Sequence, residues 1–489
     1  MFLNFRIAQL KKDPNIQEKL FSMLNFPVSM AKQYVIATIL RYLSNYYDEL
    51  QVVAEDRYVD KVYRNSFSNY YSTKLNQYPE YCVRLSFLES DVNLSIKEDI
   101  INKYLGFMIL RPISRGIVGR TAINPKAVIC GSDMMVCLAK IRASVLGYKT
   151  YVDAFPHSSQ DTEYSTCAET SIWSLMEYFG NKYSEYTPIL PSRIHDILDN
   201  KALERHIPSH GMSYLDISYV LKKCGFGTKI YNRKSHKNDE EGLDFKKTFS
   251  TYIESGIPVG VAIQSFSGTP FGHAVVCVGR NKIDRKEILN ARVCEANGKK
   301  FRRWSDVPSS FIFNDDNVGI YQSVSFSYPA PQHNRYDLFI SSIIVPLYKR
   351  IYLDANCAVD SSERICTRYL SLNDKTVFRT FLASGNSYMN HLISDNLLSD
   401  ACKGILIDIV RLPKFVWVTE IADEDKFTSN KVDGILILDA TEPCDSIYPL
   451  FLAHDKNVFF YDYETKTYRK NPLQEPFQGE SFNNLQLQA

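Results

Sequence analysis

The stretch "STCAETSIWSLMEYFG", Ser165 to Gly180, places a cysteine at the first turn of an expected helix. Thr166, Cys167, Ala168 and Glu169 spell T-x-x-E, the capping box in which a hydroxyl and a carboxylate satisfy the free amides of a helix start. Thr166 is then the N-cap and Cys167 the first helical residue. Ala168, Ile172, Leu175, Met176 and Phe179 recur at three- and four-residue spacing, which buries one face, and Gly180 reads as the stop. Uncapped amides and the helix dipole favour negative charge at an N-terminus. A thiolate is the nucleophilic form of cysteine, so this is a setting for a reactive thiol if a base stands near. Without a base, Cys167 is one more small residue at a cap.

Two segments downstream supply partners. In "GTPFGHAVVCVGR", His273 opens a β-branched run, and His273, Val275 and Cys277 share one face of the strand. An imidazole there can take a thiol proton and return it to a leaving amine. In "SSFIFNDDNVGIY", a short apolar strand delivers Asp315 and Asp316 where it meets a loop. A carboxylate at that point can fix the tautomer of an imidazole, although N-D-D-N-x-G is also ordinary turn chemistry.

In order and spacing the three segments resemble a papain-like cysteine peptidase, most closely the bacteriocin-processing (double-glycine leader) peptidase domain of ABC transporters and its soluble relatives. "HGMSYLDISYVLKKCGFG" and "IESGIPVGVAIQ" resemble the family's intervening helix and the strand before its catalytic His strand. The resemblance covers the middle block only. It implies Cys167 as nucleophile, His273 as general base and then acid, and Asp315 as the residue orienting the imidazole, with Asp316 its rival. It also implies an upstream Gln whose amide holds the oxyanion together with the Cys167 N–H. Gln160 is the only Gln nearby; its separation of seven residues is one longer than the family's usual. The implied reaction is hydrolysis of a peptide or isopeptide bond in a protein or peptide substrate, through a thioester and with no metal or organic cofactor. Transamidation or deamidation on the same triad, and a non-catalytic binding module, are the alternatives.

The chain of 489 residues is too long for one core. The expected class is α+β, in three blocks: 1–150, 151–328 carrying the papain-like domain, and 329–489. In the first block, helices are expected at "IQEKLFSMLNF" and "AKQYVIATILRYLSNYYDEL" and strands at "YCVRLSFLES" and "KYLGFMILRPI". "AVICGSDMMVCLAKIRASVLGY" reads as a strand ending near Cys130, a turn at Gly131 and a helix capped by Ser132. Lys234 to Gly242 is expected as a charged surface loop. In the third block, "DKTVFRTFLASG" reads as a helix, "GILILDA" and "NVFFYDY" as strands, and the polar tail as frayed.

Hydrophobic residues make up 45% and charged residues 23%, which excludes a disordered chain, and a net charge of +2 gives no pull towards nucleic acid or anionic lipid. No apolar run reaches membrane-spanning length, and "MFLNFRIAQLKKDP" lacks the pattern of a secretory leader. Eleven scattered cysteines with no CxxC pair point to reduced thiols and a cytoplasmic protein. Cys277 is expected in the core. His206 and His210 have metal-like spacing, but Pro208 between them breaks the helix that would align them. "GFGTKI" is too short for a dinucleotide fingerprint.

Overall fold

The computed structural model describes residues 2–26, 31–201, 207–209, 211–233, 239–267, 271–444, 447 and 449–487. Helix and strand contribute about equally, in a mixed α and β architecture. Among the described residues no helix is long and apolar enough to cross a membrane. His206, His210 and Lys234 to Asn238 lie outside the described residues.

The site sits on a central sheet of eight strands: β1 (Met134–Val136), β2 (Lys229–Asn232), β3 (Val259–Ser265), β4 (Gly272–Asn281), β5 (Ser310–Asp315), β6 (Gly319–Ser325), β7 (Leu338–Val345) and β8 (Gln486–Leu487). The main path runs β6-β5-β4-β3-β7-β2, and every pairing along it is antiparallel. Strand β4 is central, with Val261 opposite Val275 on one side and Asn314 opposite Val276 on the other. Antiparallel neighbours bring the start of one strand beside the end of the next, so His273 at the head of β4 lies near Asp315 at the end of β5. The pairing of β3 with β4 ends at Cys277, and β1 pairs with β4 from Gly279 to Asn281 while β5 holds the other edge. At Gly279 any Cβ would fall 2.1 Å from the carbonyl oxygen of Met135, so only glycine permits that approach.

Helix α1 (Cys167–Lys182) packs on β4. Its residues from Ala168 to Phe179 are all buried, so it is a core helix and not a one-faced surface helix. The expected stop at Gly180 is corrected: the helix continues to Lys182 with Tyr183 as its C-cap. Gly180 serves a different purpose, because a Cβ there would meet the ring of Pro188 at 2.4 Å. Helix α2 (Tyr214–Lys223) ends as its glycine suggests, with Gly225 at φ +109°. Helix α3 (Asp239–Glu254) begins inside the segment expected to be a charged loop.

Two further sheets flank this one. An antiparallel five-stranded sheet orders Phe2–Arg6, Gln51–Tyr58, Cys82–Leu88, Tyr104–Leu110 and Val118–Ile123. An eight-stranded sheet is built on Val377–Ser384, Phe415–Ala422, Gly434–Asp439 and Pro449–His454, and it recruits Val293–Ala296 and Lys299–Arg303 from the middle block. Conversely, β7 and β8 from the third block and β1 from the first join the central sheet. One apolar core runs from Phe5 through Ile172 and Val276 to Leu438 and Leu485.

Four expectations are corrected here. The helix expected after Ser132 is instead strand β1 followed by a hairpin of Ala139–Val145 and Tyr148–Ala154, turned by Leu146 and Gly147 at φ +49° and +84°, the left-handed pair that a tight hairpin needs. Cys130 is exposed in the turn before β1 and does not end a buried strand. "DKTVFRTFLASG" holds the strand Val377–Ser384. The polar tail is anchored, since β8 pairs with β1 and Phe477 and Leu485 are buried. In addition, Cys357 and Cys444, 87 positions apart in sequence, form a disulfide with Cα atoms 5.9 Å apart, so not all eleven thiols are free.

Candidate active site

Helix α1 delivers Cys167 as its first residue. The box expected from T-x-x-E is formed: the Glu169 carboxylate accepts from the Thr166 amide at 3.1 Å and from the Thr166 hydroxyl. Ser209 donates to the other Glu169 oxygen at 2.6 Å, which fixes a buried carboxylate at the helix mouth. Cys167 is half-buried, and its carbonyl accepts from the Thr170 and Ser171 hydroxyls at 3.0 and 2.7 Å.

His273 is buried, and its Nε2 lies 3.0 Å from Asp315 Oδ1. Nδ1 is the ring nitrogen that does not meet the aspartates. Burial opposes the imidazolium, but the hydrogen bond with Asp315, the neighbouring Cys167 thiol, and the charges of Asp315 and Asp316 outweigh it and hold the His273 pKa well above its usual range. Asp315 moves the other way. Burial raises it, and the hydrogen bond and charge of His273 together with the Asn317 N–H, which donates at 2.9 Å, bring it below the usual carboxylate range. Imidazole and carboxylate are thus directly paired, with the Cys167 thiol near enough to the ring to help raise its pKa.

Asp316 reaches the same nitrogen, with Oδ1 3.5 Å from His273 Nε2. It is buried, and neither carboxylate oxygen makes a hydrogen bond of good geometry. The neighbouring Thr170 hydroxyl donates instead to the carbonyls of Thr166 and Cys167. Burial, aided by the negative charge of Asp315, pushes the Asp316 carboxyl up to about 7, with His273 opposing. A carboxyl raised in the folded state costs nothing below its ordinary range. The cost grows as pH climbs from there and is complete above about 7. Asp316→Asn is therefore expected to stabilise the fold at pH 8, by on the order of 2–4 kcal/mol, and to have little effect at pH 4. Urea unfolding of both proteins at the two pH values measures this; an equal gain at both would refute it.

Gln160 comes to the same corner by another route. Its amide Nε2 donates to Asn317 Oδ1 at 2.8 Å, and Asn317 Nδ2 lies 3.5 Å from His273 Nε2. Cys277 is fully buried, as expected of a core thiol. Three further groups carry no sequence signal. Gln332, from a turn in the third block, donates to Asp315 Oδ2 at 2.7 Å. The Tyr42 hydroxyl, from the first block, donates to the Asp316 carbonyl at 2.7 Å. His333 meets Phe271 edge-on with ring centroids 4.9 Å apart and lies 6.1 Å from the His273 ring. All three blocks therefore hold the two aspartates and the imidazole in place.

The arrangement has the parts for nucleophilic acyl transfer: a thiol at a helix mouth, a base beside it, and an acceptor orienting the base. No family model matches the chain, and no curated protein matches it either.

Proposed function

We propose that this protein is a papain-like cysteine peptidase that hydrolyses a peptide or isopeptide bond in a protein or peptide substrate. The observation that carries the reading is the single imidazole of His273, whose Nε2 lies 3.0 Å from Asp315 Oδ1 and whose pKa the neighbouring Cys167 thiol helps to raise. Cys167 Sγ attacks the substrate carbonyl carbon after its proton passes to His273. The Cys167 N–H at the helix mouth, with the Gln160 amide released from Asn317, faces the oxyanion. His273 returns the proton to the leaving amine, and a water, deprotonated by the same imidazole, frees the acid from the thioester. Asp315 keeps the ring in one orientation through both steps.

The test is product analysis. The chain is incubated with a mixture of unstructured peptides in water enriched in oxygen-18, and the products are read by mass spectrometry. Hydrolysis leaves one heavy oxygen in each new carboxylate and generates new N-termini. Products joined to an added amine, with no heavy oxygen, would move the assignment to a transamidase; no product at any pH from 5 to 9 would remove the catalytic reading.

A further inference from the structure

The nitrogen and oxygens around Asp316 form a second kind of site. His273, Asp315 and Asp316 each offer one ligand atom, and these atoms all lie within 4.8 Å of one another. From His273 Nε2 the nearest oxygens of Asp315 and Asp316 are 3.0 and 3.5 Å away. Zinc bound tetrahedrally, with bonds of about 2.0–2.1 Å, sets neighbouring ligand atoms about 3.3 Å apart. The two separations bracket that edge. All three side chains are buried, and both Asp316 oxygens lack a hydrogen bond of good geometry while one of them faces the His273 ring. Two carboxylates beside one imidazole, enclosed and incompletely paired, present an excess of negative charge that a cation would balance. Asp315 is already oriented from outside the cluster by the Gln332 amide and the Asn317 N–H, as ligating carboxylates commonly are.

We propose that His273 Nε2, Asp315 and Asp316 bind a zinc-class divalent cation, and that this cation switches the enzyme off. The imidazole favours a borderline ion such as zinc over magnesium or calcium, which prefer all-oxygen sets. The ion takes the Nε2 lone pair; the proton on Nε2, and any proton held by Asp316, leave to solvent. A neutral imidazole metallated at Nε2 carries its remaining proton on Nδ1, the nitrogen that does not meet the aspartates. It then has no lone pair with which to accept the Cys167 proton. The binding claim stands on the cluster alone, whereas the inhibition claim rests on the peptidase reading.

Metal binding is measured first, by equilibrium dialysis of the chelator-stripped full chain against zinc chloride with metal analysis. One equivalent is expected to be retained at low micromolar zinc by the wild type and by Cys167→Ala, and to remain in the presence of millimolar magnesium. Asp316→Asn and Asp315→Asn, each checked for folding by circular dichroism, are expected to weaken that equivalent at least tenfold. Retention unchanged in both aspartate variants, or loss in Cys167→Ala alone, would overturn the site. Peptide hydrolysis by the wild type is then titrated with zinc and should fall in proportion to occupancy. Full activity at full occupancy would overturn the inhibition. A chain that binds zinc through the aspartates yet never hydrolyses peptides, even stripped of metal, would leave the metal site standing and remove the peptidase reading instead.

Discussion

Cys167→Ala is expected to lower peptide hydrolysis by at least about 10⁴-fold while leaving the fold intact. The loss is large because neither Asp315 nor His273 can form the thioester. The fold should survive because the helix start does not depend on sulfur. Thr166 and Glu169 close the capping box, and Ala168 to Phe179 fill the core behind it. A half-buried thiol replaced by a methyl leaves little empty space. Steady-state hydrolysis and a thermal melt of the same preparation check the two halves. Retained turnover would end the assignment of Cys167, whereas a collapsed melt would show that the residue is structural.

The second large effect concerns stability. Arg379 is buried, and its guanidinium donates to Glu254 at 3.0 and 3.1 Å and to Glu420 at 3.0 Å. Glu254 also pairs with Arg280, which lies on β4 with His273. Burial raises the Glu254 carboxyl, but Arg280 and Arg379 overcome this and bring it to about 2. Glu420 has only one guanidinium; there burial wins and its pKa is raised. Arg379→Met leaves two buried carboxylates short of a partner and is expected to cost roughly 3–5 kcal/mol, measured by urea unfolding. Arg379→Lys should lose less, since a single ammonium keeps the charge but not the two-sided fork. Because the Glu254 pKa is depressed on folding, its share of the stability is present above the ordinary carboxylate range and fades as pH falls towards about 2. A wild-type stability for Arg379→Met would mean that the network is not coupled to folding.

These two cases also mark what is legible in the sequence. The mouth of α1 can be read because capping chemistry is local, three residues apart. The β4 and β5 segments can be read because β-branched and aromatic residues bounded by glycine and asparagine point to strands. The strand at Val377–Ser384 is misread because Val377, Phe378, Phe381 and Leu382 fall at helix-like spacing. It is buried on both faces between neighbouring strands, which removes the alternation that marks a half-exposed strand. The same segment hides Arg379, whose place inside the protein is set by carboxylates 41 and 125 residues away in sequence. Asp315 and Asp316 could not be ranked from the sequence, and the geometry explains why: the β5 strand ends at Asp315, and at that end both carboxylates reach the same nitrogen. Gln332 and Tyr42 come from turns and helices with no motif; only the folded chain brings them to the aspartates. The Cys357–Cys444 bond is of the same kind, since spacing alone does not pair cysteines.

In the proposed mechanism the His273 imidazole activates the Cys167 thiol. Brief alkylation with iodoacetamide at pH 6, followed by peptide mapping, tests it most directly, because an ordinary thiol is almost entirely protonated there. Cys167 is expected to be modified well before the other free cysteines in the wild type, and His273→Ala to abolish this preference. Slow, uniform labelling in both proteins would contradict it.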